Sequence, residues 1–348
     1  MTETMPDRIQ VARVISTAPG VWEMTLPWLP IYWDMDVLAR YKRAGFTFVS
    51  LTLQDWPPTF EGMKRCIARF QALAESEAAW LTFGKSLEDI DRGRRAGKLV
   101  LGLNSQETRI IEDDLSRIAA LRELGVRHML LAYNVRNVVA DGCAEVADAG
   151  LSNFGRQVIR EMNRVGVIVD CSHTGRRSSL EAMEISERPV IFSHSNVHSI
   201  CPHIRNIHDD QIRACAAGGG VVGVVGVGAF LGSVAPSSDD LFRHIDYISS
   251  LVGPDHVGLG TDYVSILPIK EHAAVWEARA SELHAWPDPA NAWRDPSGTQ
   301  IPFEETRCVP PEAMVSLVET MLIHGYSESV VQGILGANFR RVYAGLPQ

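Results

Sequence analysis

No stretch of this sequence approaches the roughly 20 consecutive apolar residues that a membrane span requires. The opening run from Met1 to Arg8 lacks the apolar core of a secretory signal. Basic charge is in deficit: 33 Lys and Arg stand against 42 Asp and Glu, a net charge of -9. With no basic tract, a nucleic-acid role has no electrostatic support. There is no zinc-finger spacing and no C-x-x-C. The six cysteines (Cys66, Cys143, Cys171, Cys201, Cys215, Cys308) are scattered, which predicts buried thiols rather than a disulfide framework. Neither a G-x-S-x-G elbow nor a P-loop occurs, so serine-hydrolase and nucleoside-triphosphatase readings have no motif. Gly218 to Gly223 fits G-x-G-x-x-G, but it follows a helical run and opens a strand-like one, the reverse of the dinucleotide context. The expectation is a cytoplasmic protein with neither a membrane nor a nucleic-acid partner.

What is present is alternation. The 348 residues are 46% hydrophobic and 22% charged, enough to bury a large core. Strand-like runs at 11–17, 46–53, 98–103, 128–132, 167–170, 189–193, 221–227 and 256–260 alternate with helical runs at 34–45, 61–77, 112–124, 153–165, 178–186, 209–217 and 238–252. Two further helices, 311–324 and 327–344, close the chain. The strands are continuous apolar runs, as in a parallel sheet covered on both faces. About eight units predict one α/β domain over 1–348, a closed (β/α)8 TIM barrel with extra C-terminal helices; a doubly wound open sheet is the alternative. The Pro- and Trp-rich stretch 265–309, with Trp276, Trp286 and Trp293, reads as a long loop over the barrel mouth.

Two of these strands end in histidine. Val167-Ile-Val-Asp170-Cys-Ser-His173 and Pro189-Val-Ile-Phe-Ser-His194-Ser-Asn196 place His173 and His194 at neighbouring C-terminal strand ends. There a barrel keeps its functional groups. Each alone reads first as a hydrogen-bonded core histidine; together they suit one zinc ion. Asp262, after the eighth strand, could ligate the metal or act as general base, or could cap a turn. Arg205 could clamp a substrate carboxylate with two hydrogen bonds, or form a surface salt bridge. His198 and His203, in the same loop, read as polar lining.

The stretch from Gly150-Leu-Ser-Asn-Phe-Gly-Arg156 through Asp170-Cys-Ser-His173 resembles the central signature of the membrane (renal) dipeptidase family, a branch of the amidohydrolase-like metal hydrolases. So do Pro189 to Asn196, Ile204-Arg205-Asn206, Gly218 to Val224, Asp255 to Asp262, and the last helix from Gly325 to Val342. The resemblance implies a (β/α)8 barrel, a homodimer, and a two-zinc site that hydrolyses dipeptides. It implies that His173 and His194 ligate one metal, that Asp262 serves the other and acts as base, and that Arg205 binds the substrate's C-terminal carboxylate.

Three departures modify that implication. The family's H-x-D before Leu-Pro-Trp is Glu23-Met24-Thr25 here, before Leu26-Pro27-Trp28. The bridging glutamate is replaced by Asn104, and a substrate-contacting histidine by Tyr133. An amide oxygen is a weak bridge. One zinc on His173, His194 and Asp262 is therefore expected, with Glu23 or Asn104 as further ligands. Tyr133 is expected to contact substrate and stabilise an oxyanion through its hydroxyl. The function read from the sequence is a metal-dependent hydrolase of a dipeptide or related small amide. The alternatives are a metal-free pseudoenzyme or binding protein, and a hydrolase of a cyclic amide or lactone.

Overall fold

A computed structural model describes residues 8–28, 34–53, 58–265 and 305–347. Eight strands are present among them: β1 (Trp22–Leu26), β2 (Phe48–Leu53), β3 (Leu81–Phe83), β4 (Leu99–Ser105), β5 (Val126–Leu130), β6 (Ile168–Asp170), β7 (Val222–Val224) and β8 (Val257–Leu259). All strand pairings are parallel: β1-β2-β4-β5-β6 run in order, with β3 added along the first half of β4. Single parallel bridges, Asp170 to Ile191 and Phe192 to Val222, carry the curl through the His194 segment into the β7–β8 pair.

The ring expected from the sequence is therefore a curled parallel sheet rather than a fully closed ladder. Between β8 and β1 no strand ladder forms among the described residues. Instead the Glu23 carboxylate takes the backbone N–H of Thr261 at 2.8 Å. The expected strand at 11–17 is also corrected: Arg8–Thr17 is a helix that buries Val11 and Val14. Those two residues are three apart, so they share one helical face. The first strand comes later, at Trp22. The expected last helix, 327–344, is interrupted by a π-helical turn at Gly333–Ala337. The segment 265–309 lies, apart from its ends, outside the described residues.

The helices follow local signals. Helix Asn153–Val165 starts where the Ser152 side chain accepts the Gly155 N–H and stops at Gly166, whose φ of 81° suits glycine. Its buried face carries Val158, Ile159 and Met162, and its end sets the start of β6. Alternate strand residues divide the core. Val49, Leu51, Leu101, Leu103, Val167 and Val169 belong to a large apolar cluster shared with the surrounding helices. Trp22, Met24, Phe48, Val100, Ile168, Ile191 and Val221 form a second cluster, closed by Phe339, Val342 and Tyr343 of the last helix. Most of these residues sit early in their strands, so the apolar plug fills the N-terminal end of the sheet. The buried polar side chains Ser50, Thr52, Asn104, His128, Asp170, Ser193 and His194 lie further along. One end of the interior is dry packing and the other is polar, which sets where chemistry is possible.

Candidate active site

His173 and His194 meet. Their Nε2 atoms lie 2.9 Å apart, both side chains being almost wholly buried. His173 Nδ1 is 2.6 Å from Asn134 Oδ1. An amide oxygen can only accept, so His173 carries its proton on Nδ1 and leaves Nε2 as a lone pair. His194 Nδ1 faces hydroxyls instead, Ser193 Oγ at 2.7 Å and Thr25 Oγ1 at 3.2 Å. Hydroxyls donate or accept, so His194 can hold its proton on either nitrogen. With the proton on Nε2 it donates to His173. With the proton on Nδ1, both Nε2 lone pairs face the gap between the rings.

Both imidazoles are neutral at pH 7. Burial, then the Arg205 charge, pushes the His194 pKa down to about 3, against the pull of Asp170. The same burial and the charges of Arg205 and His194 hold His173 well below its usual value. Neutral imidazole is the ligand form. His173 has a φ of 62° and Asp262 one of 52°, both in the left-handed region that non-glycine residues seldom occupy. Such backbone positions cluster at functional sites. Tyr133 stacks on His173 with ring centroids 4.1 Å apart.

Arg205 is 2% exposed, which excludes the surface salt bridge considered from sequence. Its Nη2 donates to the His194 carbonyl at 3.2 Å, and its guanidinium lies over the Phe230 ring at 5.3 Å. Its Nε has no hydrogen-bond partner among the described residues. A buried guanidinium with an unused N–H is suited to an incoming anion. Arg205 and His173 share a cavity of about 380 Å³ with His198, His203 and His208, so His198 and His203 do line the space beside His173.

Asp262 is partly exposed, and its carboxyl is pushed up to about 6 by burial, with the Arg205 charge opposing. Glu23 is turned to another task. Its oxygens accept the N–H groups of Thr25 and Thr261, the Thr261 hydroxyl and, at 3.4 Å, the Tyr41 hydroxyl. Asn104 Nδ2 donates to the Ser50 carbonyl at 3.1 Å and to Ser50 Oγ at 2.9 Å. That fixes the amide orientation and leaves Oδ1 buried without a partner. Among the described residues no three His, Cys, Asp or Glu side chains come together as a metal cage. The histidine pair offers two neutral imidazole donors, and no third such side chain joins them among the described residues. Glu23 is engaged by hydrogen-bond donors, and Asn104 presents one neutral oxygen, so the set does not fit two ions.

Sequence reasoning missed His128 and Asp170. His128 Nδ1 lies 3.1 Å from Asp170 Oδ2, and His128 Nε2 lies 3.2 Å from Ser50 Oγ. A histidine inside the fully buried strand Val126–Leu130 was the available signal. Cys171, the thiol nearest the pair in sequence, is buried and free, and burial holds its pKa well above the usual thiol value. It is an inert core group.

Residues 31–276 match the family model described as membrane dipeptidase (peptidase family M19). An uncharacterized dipeptidase, C965.12, of Schizosaccharomyces pombe is 35% identical over 180 residues, covering 50% of this chain and 43% of that protein. Dipeptidase tcpJ of Claviceps purpurea is 29% identical over 198 residues, 56% of this chain and 46% of that protein. The matched region spans about half the length of these curated relatives. An amidohydrolase from Pseudomonas aeruginosa, known by crystal structure, superposes with a TM-score of 0.81 at 26% identity, over 96% of this chain and 98% of its own. With the family signature matched over most of its length and the same fold around the histidine pair, this chain belongs to the membrane dipeptidase family, peptidase family M19.

Proposed function

We propose that this protein is a hydrolase of dipeptides or related small amides that works with a single zinc ion. The observation that carries the reading is the convergence of His173 and His194 Nε2 at 2.9 Å, with each Nδ1 anchored by an oxygen. Anchoring the far nitrogen is how ligand histidines are oriented. Membership of a metallopeptidase family and the dipeptidase names of the relatives support the same reading. His173 and His194 would hold the ion; Asp262 does not cluster with them among the described residues and would act on the water from outside the ligand pair. A bound zinc lowers the pKa of its water to about 7 and polarises a carbonyl.

The chain's own residues divide the remaining work. Arg205 receives the substrate's C-terminal carboxylate, because its unused Nε–H and buried charge favour a two-bond clamp. Asp262 would take the proton from the attacking water as general base. Tyr133, stacked beside His173, donates its hydroxyl to the developing oxyanion. The homodimer implied by the family resemblance is part of this proposal.

The test is metal analysis of the purified chain together with turnover of a dipeptide panel after zinc loading. About one zinc per chain, with turnover lost in His173→Ala and His194→Ala, is the expected result. No metal uptake and no turnover across the panel would sink it. A metal-free binding protein is the second reading. One observation favours it: the Nε2–Nε2 hydrogen bond satisfies both rings without an ion. Carboxylate binding without turnover would select it.

A further inference from the structure

Asp170 stands at the centre of a buried network that reaches both histidines. Its Oδ1 accepts the backbone N–H of Ser172 and of Ser193, each at 3.0 Å. These are the residues immediately before His173 and His194. The two loops are also tied directly: the His194 N–H donates to Ser172 Oγ at 3.0 Å, and Ser172 Oγ lies 3.3 Å from Ser193 Oγ. Ser193 Oγ in turn meets His194 Nδ1. On its other side, Asp170 Oδ2 faces His128 Nδ1, and His128 reaches Ser50 Oγ, which Asn104 Nδ2 also engages. Asp170, His128, Ser50 and Asn104 are all wholly buried. A buried carboxylate is tolerated only when its lone pairs are filled, and here two N–H donors and an imidazole fill them.

The order Ser50, His128, Asp170 is that of a hydroxyl, a base and its orienting acid. Burial of all three and the Asn104 contact on Ser50 Oγ make it a holding device rather than a nucleophile.

We propose that His128 and Asp170 are positioning residues that keep the Nε2 atoms of His173 and His194 converged. They act through the peptide groups at Ser172 and Ser193, to which Asp170 is hydrogen-bonded. The significance of convergence rests on the proposed function; the positioning itself does not.

The experiment uses the full chain labelled with 15N-histidine, with a Co2+ titration followed by absorbance as an independent readout. Two pairs of variants are compared. Asp170→Asn keeps Oδ1 for both peptide N–H groups and offers Nδ2–H to His128, whereas Asp170→Ala offers neither. His128→Asn places Nδ2 where the ring Nδ1 stood, whereas His128→Leu leaves Asp170 Oδ2 without a donor. Asp170→Ala and His128→Leu are expected to shift the His173 and His194 ring-nitrogen resonances and to weaken Co2+ binding about tenfold to a hundredfold. The two asparagine variants are expected to keep the parent resonances. If Asp170→Ala does not fold, the His128 pair decides. Parent-like resonances in His128→Leu would overturn the proposal. If the parent binds no Co2+, the metal reading of the site fails, and the resonance comparison still decides the positioning.

Discussion

The Glu23 carboxylate accepts the backbone N–H of Thr261 at 2.8 Å, joining β1 to the end of β8 where no strand ladder connects them. Tyr41, from helix Met35–Arg43, reaches the same carboxylate, so the seam is also tied to the outer layer. Burial pushes the Glu23 carboxyl up to about 7, while hydrogen bonds from Thr261 and Thr25 pull the other way and the Asp262 charge adds to the rise. Folded protein therefore keeps this proton to higher pH than unfolded protein does. The stability linked to it is fully present below pH 4.5, the ordinary glutamate value, and is lost as pH rises through about 7. The magnitude is on the order of 3 kcal/mol. Urea unfolding at pH 5 and pH 8 checks this: the parent should lose stability across the interval, and Glu23→Gln, which mimics the protonated acid, should lose much less. Equal losses in the two proteins would refute the assignment.

The Arg205 clamp makes a sharper demand than charge. Lysine keeps the cation but not the planar fork. Arg205→Lys should weaken binding of a free dipeptide by about tenfold or more, while binding of the same dipeptide with an amidated C-terminus changes little. Isothermal titration with the two ligands measures this. Unchanged affinity for the free acid retires the role.

Tyr133 offers a separation of contact from chemistry. Tyr133→Phe keeps the ring on His173 and removes only the hydroxyl. Loss of one oxyanion donor should lower kcat by about 10²–10³ with little change in KM. A mutant with full kcat would assign Tyr133 to packing alone.

Metal binding should be visible without turnover. A ligand that binds only folded protein raises its stability by mass action. Zinc should raise the Tm of the parent, chelator should reverse the shift, and His194→Ala should abolish it. A zinc-induced rise that survives His194→Ala would place the ion elsewhere.

The approach of the His194 segment to its neighbours is tested by glycine. A Cβ added at Gly260 would stand 1.9 Å from the Ser193 carbonyl oxygen, and one at Gly223 would stand 2.0 Å from it. Backbone must move in either case, so Gly260→Ala should cost about 1–3 kcal/mol in urea unfolding. Because Ser193 anchors the His194 ring, it should also weaken zinc binding. Parent-like behaviour on both counts would show that the segment yields freely.

Much of the site was legible in the chain. His173 and His194 stood after apolar runs, and the local signals that placed them, strand hydrophobicity and helix caps, act over a few residues. Helices Asn153–Val165, Asp209–Ala217 and Ser238–Val252 fall where their patterns predict, because each carries its own apolar face and stop signal. The segment 11–17 misled because a run of β-branched residues fits a short strand as well as a helix, and only packing decides. His128 went unread because a polar residue in a short buried strand says nothing about its partner.

The sequence by itself determined the family and the residue types at the strand ends, since these are carried by local motifs. Only the tertiary structure decided what those residues face. Glu23 meets Thr261 across 238 positions, and His128 meets Asp170 across 42. Such pairings arise when the sheet curls and buries their side chains together. A buried charge then takes whatever donors the fold brings within reach, and those distances are set by packing and not by spacing along the chain.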